Sequence, residues 1–141
     1  MTTIVYAHGV LAADRRVTEG SSIVGDAYRK VSCTPDGWLC AWAGAVADAH
    51  QFVEWAHKGR RLSPPKGDYN SVLITPKGEV MEFENGKRLP NSRRSKFRTW
   101  GSGGDAALGA LMAGATAKQA VLIAQKIDSC SGGGCDQLKL E

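Results

Sequence analysis

A threonine hydroxyl is a weak nucleophile at neutral pH, and one near the start of this chain stands where that weakness has a remedy. Thr2, in Met1-Thr2-Thr3-Ile4-Val5, is small enough that methionine excision would expose it. Its own α-amine would then lie beside its hydroxyl, a base that needs no second residue. The ordinary α-amine pKa of about 7.7–8.0 leaves a neutral fraction near neutral pH. Read alone, Thr-Thr is also a common and uninformative start. Four further pieces could do chemistry. Asp14 sits between Ala13 and Arg15 in an apolar strand pattern, where a carboxylate is either at an edge or paired. Lys30, taken alone, reads as a surface lysine. Gly101-Ser102-Gly103-Gly104 precedes a helix, so its N–H groups could hold an anion or an oxyanion. It lacks both the Lys-Ser/Thr ending of a P-loop and the G-x-S-x-G of a serine-hydrolase elbow. Asp128-Ser129-Cys130-Ser131-Gly132-Gly133 is a polar loop.

These residues need elements to carry them. Thr2 to Ala7 and Val10 to Arg16 read as strands of a hairpin closed by His8-Gly9. Thr18 to Ser22 reads as a loop, with short extended pieces after it through Ser32. Thr34-Pro35-Asp36-Gly37 is a turn by composition, and Trp38 to Trp42 a buried strand ending at Ala43-Gly44-Ala45. Ala49, Phe52, Val53 and Ala56 then recur at helical spacing, and Ser63-Pro64-Pro65 forbids the helix's return. Tyr69 to Thr75 and Glu79 to Phe83 form a hairpin. Lys87 to Arg98 reads as irregular, except for a short strand from Phe97 to Trp100. Helices follow from Asp105 to Ala113 and from an N-cap at Thr116 to about Ile127. The second presents Ala117, Ala120, Val121, Ala124 and Ile127 on one face. Cys135 to Leu140 is the last strand.

The 141 residues, 43% of them hydrophobic, suit one globular domain, 1–141, with a real core. No apolar run spans a membrane, and no basic-then-apolar signal segment precedes the first strand, so a cytoplasmic protein is expected. Cys33, Cys40, Cys130 and Cys135 form no C-x-x-C pair and read as buried free thiols. A metal site drawn from them with His8, His50 and His57 is the weaker reading, so no metal and no cofactor is expected. The net charge of +4 gathers in Lys58-Gly59-Arg60-Arg61 and Arg93-Arg94-Ser95-Lys96-Phe97-Arg98. Solvated loops or guarded strand edges account for these better than nucleic acid does.

In this order, the pieces resemble the catalytic subunits of the proteasome family, N-terminal-nucleophile (Ntn) hydrolases that include the HslV-type peptidases. Thr2-Thr3-Ile4-Val5 resembles a mature HslV-type start. His8 to Arg16 resembles the second strand of a proteasome β-subunit, with Arg29-Lys30-Val31 at the family's distance from Asp14. Ala43-Gly44-Ala45-Val46-Ala47-Asp48 resembles the family's Ala-Gly-Gly-x-x-Asp turn. Trp100 to Gly104 and Asp128-x-x-Ser131-Gly132-Gly133 resemble its two late loops.

The resemblance implies an α+β fold, a four-layer α-β-β-α sandwich, and a threonine-type endopeptidase working through an acyl-enzyme ester. Thr2 would be the nucleophile, Lys30 its charged neighbour and Asp14 the partner of Lys30. Gly44 N–H would meet the oxyanion, and Ser102, Asp128 and Ser131 would orient the Thr2 amine. It also implies polypeptide substrates, a homo-oligomeric ring enclosing a chamber, and an ATP-dependent unfoldase. The chain departs from the family where Leu62 to Asp68 replaces a second helix, which shortens one helical layer. Ala45 replaces the second glycine of the oxyanion turn, and Trp42 stands where the family lines its specificity pocket. A non-catalytic subunit of the same fold and an Ntn amidase for a small amide are the competing expectations.

Overall fold

The computed structural model describes residues 2–90 and 97–140. Met1 and most of the second basic cluster therefore lie outside the described residues. The chain forms two compact units, Met1–Val31 with Arg94–Lys139, and Ser32–Arg93 with Leu140–Glu141.

The first unit is built on an antiparallel hairpin of β1 (Ile4–Ala7) and β2 (Val10–Asp14). His8 and Gly9 both take positive φ, 52° and 75°, the twist that a two-residue hairpin turn requires. β10 (Arg98–Trp100) pairs with β1, and β11 (Cys135–Lys139) pairs with β2, giving the order β10-β1-β2-β11. Alternation along the strands puts Val5, Ala7 and Ala12 on one face, in a core with Ala107 and Leu111 of α2 (Gly104–Met112) and Ala117, Ala120, Val121 and Ala124 of α3 (Ala117–Gln125). Small side chains predominate there, so the helices lie close on the sheet. Ile4, Leu11 and Ala13, on the opposite face, are buried too. Thr116 starts α3 with a capping box: its hydroxyl accepts from Gln119 N–H, and the Gln119 side chain accepts from Thr116 N–H.

Two expectations for the first unit need correction. The stretch read as a loop at 18–22 is a hairpin, β3 (Val17–Glu19) and β4 (Ser22–Gly25), turning at Gly20-Ser21. Both strands are short and neither buries a face, so no alternation betrays them. Ile127 does not share the buried face of α3. The helix stops at Gln125, and Ile127 is 72% exposed.

The second unit carries the sheet β5-β6-β7-β8-β9: β5 (Val31–Cys33), β6 (Leu39–Gly44), β7 (Tyr69–Ile74), β8 (Val80–Glu84) and β9 (Lys87–Arg88). The pair Lys87–Arg88, read as irregular, is thus the edge of that sheet. Helix α1 (Val46–His57) packs on β6 and β7. Phe52 is its anchor, with ring centroids 5.4–5.5 Å from Trp55, Tyr69 and Phe83. After α1, positive φ at Gly59, Arg60 and Leu62 turns the chain away, and no helix forms over 62–68. The helical component of this unit is α1 alone among the described residues. Arg60, from the first basic cluster, ion-pairs with Asp36 and stacks 4.0 Å over Trp38. That pairing holds the Asp36 carboxyl down at about 2. Cys40 is buried, Cys130 and Cys135 half-buried and Cys33 exposed, so the reading of four buried thiols fails at Cys33. No helix among the described residues is long and apolar enough to cross a membrane.

Candidate active site

Thr2 lies just ahead of β1, 2% exposed. Its Oγ1 accepts a hydrogen bond from Lys30 Nζ at 2.8 Å. Lys30, which taken alone reads from sequence as a surface residue, is 1% exposed. Its ammonium also donates to Asp14 Oδ1 at 2.9 Å and to the Arg16 carbonyl at 2.5 Å. Burial lowers the Lys30 pKa from its ordinary value, and the Asp14 charge and hydrogen bond oppose that fall.

Asp14 is fully buried at the end of β2, and the chain supplies donors to both of its oxygens. Oδ1 accepts from Lys30 and from Thr3 N–H at 3.1 Å. Oδ2 accepts from Arg16 N–H at 3.1 Å and Gly132 N–H at 3.0 Å. All but Lys30 are backbone donors, so the carboxylate also fixes the chain path around the pair.

A second cluster joins the late loops. Ser102 Oγ and Ser131 Oγ each donate to Asp128 Oδ2 at 2.6 Å, and Cys130 N–H donates to Oδ1 at 3.2 Å. Burial raises the Asp128 pKa, but these donors outweigh it and hold the carboxyl below its ordinary value. Ser131 Oγ lies 2.7 Å from Thr3 Oγ1. Because the Ser131 proton is committed to Asp128, Thr3 is the donor in that contact. The cluster thus reaches the N-terminal segment through Thr3.

Close packing of the N-terminal segment explains the glycines. Gly101 has φ 90°, and a Cβ there would collide with the Thr2 carbonyl oxygen. A Cβ on Gly103 would strike Thr3 Oγ1. Gly103 N–H donates to Thr2 O at 3.3 Å.

Of the residues singled out in the sequence, Thr2, Asp14 and Lys30 form one hydrogen-bonded set, and Ser102, Asp128 and Ser131 another, within the first unit. Gly44 lies in the second unit at the end of β6. Its φ is 113°, and a Cβ would stand 2.8 Å from Asp68 O and from Tyr69 Cα. Ala45 N–H donates to Asp68 O at 2.8 Å, so by antiparallel alternation the Gly44 N–H turns away from β7. Sequence reasoning missed Thr3, Arg16 and Gly132. The repeated hydroxyl at Thr3 was a usable signal; the other two act through backbone groups and a clamp that only the fold assembles. Among the described residues no group of three or more His, Cys, Asp or Glu is placed to hold a metal ion.

The sheet-and-helix frame that sets this buried hydroxyl beside an ammonium is a proteasome-like fold, shared with solved structures of HslV and BPH. A family model described as proteasome subunit matches residues 3–62. The solved structure of eukaryotic HslV from Trypanosoma brucei is 22% identical with a TM-score of 0.71, over 99% of this chain and 98% of that one. Thiobacillus denitrificans BPH is similar both in complex with epoxomicin (18% identity, TM-score 0.66) and without it (19%, 0.65), each over 99% of this chain and 98% of that one. No curated protein sequence matches the chain.

Proposed function

We propose that this protein is a threonine peptidase in which Thr2, as the first residue of the processed chain, attacks the peptide carbonyl. The observation that carries this reading is the buried Thr2–Lys30–Asp14 set, with Lys30 Nζ 2.8 Å from Thr2 Oγ1. An ammonium at that distance favours the alkoxide-like oxygen and disfavours protonation of a nearby amine. The Thr2 amine takes the hydroxyl proton and passes it to the leaving amine of the substrate. The acyl ester left on Thr2 Oγ1 is then hydrolysed by water, which returns the hydroxyl. Ser102, Asp128 and Ser131 orient the amine, and Gly44 N–H is assigned to the oxyanion. The substrate is a polypeptide, the working form a homo-oligomeric ring fed by an ATP-driven unfoldase, and the compartment the cytoplasm.

A β-lactone or peptide-epoxyketone probe tests this. Processed protein should gain the probe's mass on its Thr2 peptide. Protein that keeps Met1 has an amide in place of the amine, and it and Thr2→Ala should stay unlabelled. Labelling that survives Thr2→Ala would place the chemistry elsewhere. An inert processed protein would mark a non-catalytic subunit, and turnover of small amides but not peptides would mark an amidase.

A further inference from the structure

We infer that Arg16 is a positioning residue, whose side chain locks the Lys30 acceptor and the Asp128–Ser131 turn into one fixed geometry. This rests on the peptidase reading of Thr2 and Lys30. Arg16 follows closely on β2, and both its backbone and its side chain are engaged. Its N–H donates to Asp14 Oδ2 at 3.1 Å and its carbonyl accepts Lys30 Nζ at 2.5 Å. Its guanidinium holds Asp26 with two bonds, Nε to Oδ1 at 2.8 Å and Nη2 to Oδ2 at 3.1 Å. Nη1 donates to the Ser129 carbonyl at 3.1 Å, inside the turn that carries Asp128 and Ser131. The fork also lies against Gly132, where any Cβ would collide with it.

One residue therefore sets the direction of a carbonyl that Lys30 needs and pins the loop that delivers Ser131. The planar fork does both at once, which a lysine's single ammonium cannot. The Arg16 and Asp26 side chains are 21% and 40% exposed, and ion pairs so placed add little to stability. The clamp's effect is thus expected in the rate rather than in the melting temperature, because small misplacements of reacting groups cost large factors.

The experiment compares processed wild type, Arg16→Ala, Arg16→Lys and Asp26→Asn on one peptide substrate, with thermal unfolding of each. Arg16→Ala should lower kcat by roughly ten- to a hundredfold with KM changed by less than about threefold. Arg16→Lys should fail to restore the rate, and Asp26→Asn should move it in the same direction. An Arg16→Ala protein as fast as wild type overturns the inference. If Arg16→Ala does not fold, Asp26→Asn decides, since it loosens the clamp and leaves Arg16 in place: a folded, slowed variant supports the inference and an unslowed one overturns it. A wild type with no Thr2-dependent turnover overturns the peptidase reading as well, and is told apart by the wild type itself being inert.

Discussion

Lys30 and Asp14 are 1% and 0% exposed, so their pairing, with the backbone donors around it, has to replace the water that both have lost. Breaking such a pair from one side typically costs about 3–5 kcal/mol. Asp14→Asn should lower stability on that scale in denaturant unfolding, because it strands the Lys30 ammonium. Lys30→Ala should remove peptide hydrolysis, read as loss of Thr2-dependent turnover in a protein whose fold circular dichroism still reports. The lysine also sets a pH dependence. With its folded pKa below the ordinary 10.5, the unfolded chain binds the proton more tightly than the folded one. That contribution is fully present above pH 10.5 and is lost as pH falls through the lower, folded pKa. Stability of wild type relative to Lys30→Met should therefore rise with pH across that window, measured by chemical unfolding at a series of alkaline pH values. A difference that stays flat would mean that burial leaves Lys30 unperturbed. At this scale the sequence singled out Asp14, since a lone carboxylate in an apolar strand is either at an edge or paired, and it is paired. It did not disclose Lys30 on its own, because nothing local distinguishes a buried lysine from an exposed one.

Among the elements, the Gly101-Ser102-Gly103-Gly104 turn is where local chain geometry and the site meet. It has to pass the backbone of residues 2 and 3 with no side chain between. Gly101→Ala puts a Cβ onto the Thr2 carbonyl and also forces alanine into positive φ. It should lower the melting temperature and cut Thr2 labelling together. Gly109→Ala makes the same substitution inside α2, where the added Cβ meets open space and the backbone is helical. That variant should gain about 0.5–1 kcal/mol of stability and label as wild type does. Strand and helix positions were largely legible: α1 runs Val46–His57, as the spacing of Ala49, Phe52 and Ala56 indicates. The β3–β4 hairpin was not, since its strands bury no face and its register shifts between Val17 and Thr18.

For the whole molecule, the ring assembly in the proposed function makes a direct prediction. Light scattering at micromolar concentration should give a mass several times 15.0 kDa; a monomer would count against an enclosed chamber and towards an amidase with an open site. Tryptophan content alone is poor support for such an interface, because Trp42 is buried within the chain and Trp38 is covered by Arg60. Within the first unit, Thr3 meets Ser131 across 128 positions, and Asp14 takes the Gly132 N–H across 118. Ribosomes make those partners in order, the N-terminal segment early and its supports more than a hundred residues later. A growing chain that ends before Asp128 carries the threonine but has no Ser131 or Gly132 to set it. On the peptidase reading, the site is armed only once that late loop has been synthesised and has folded back, so that the order of synthesis, beside removal of Met1, protects neighbouring nascent chains.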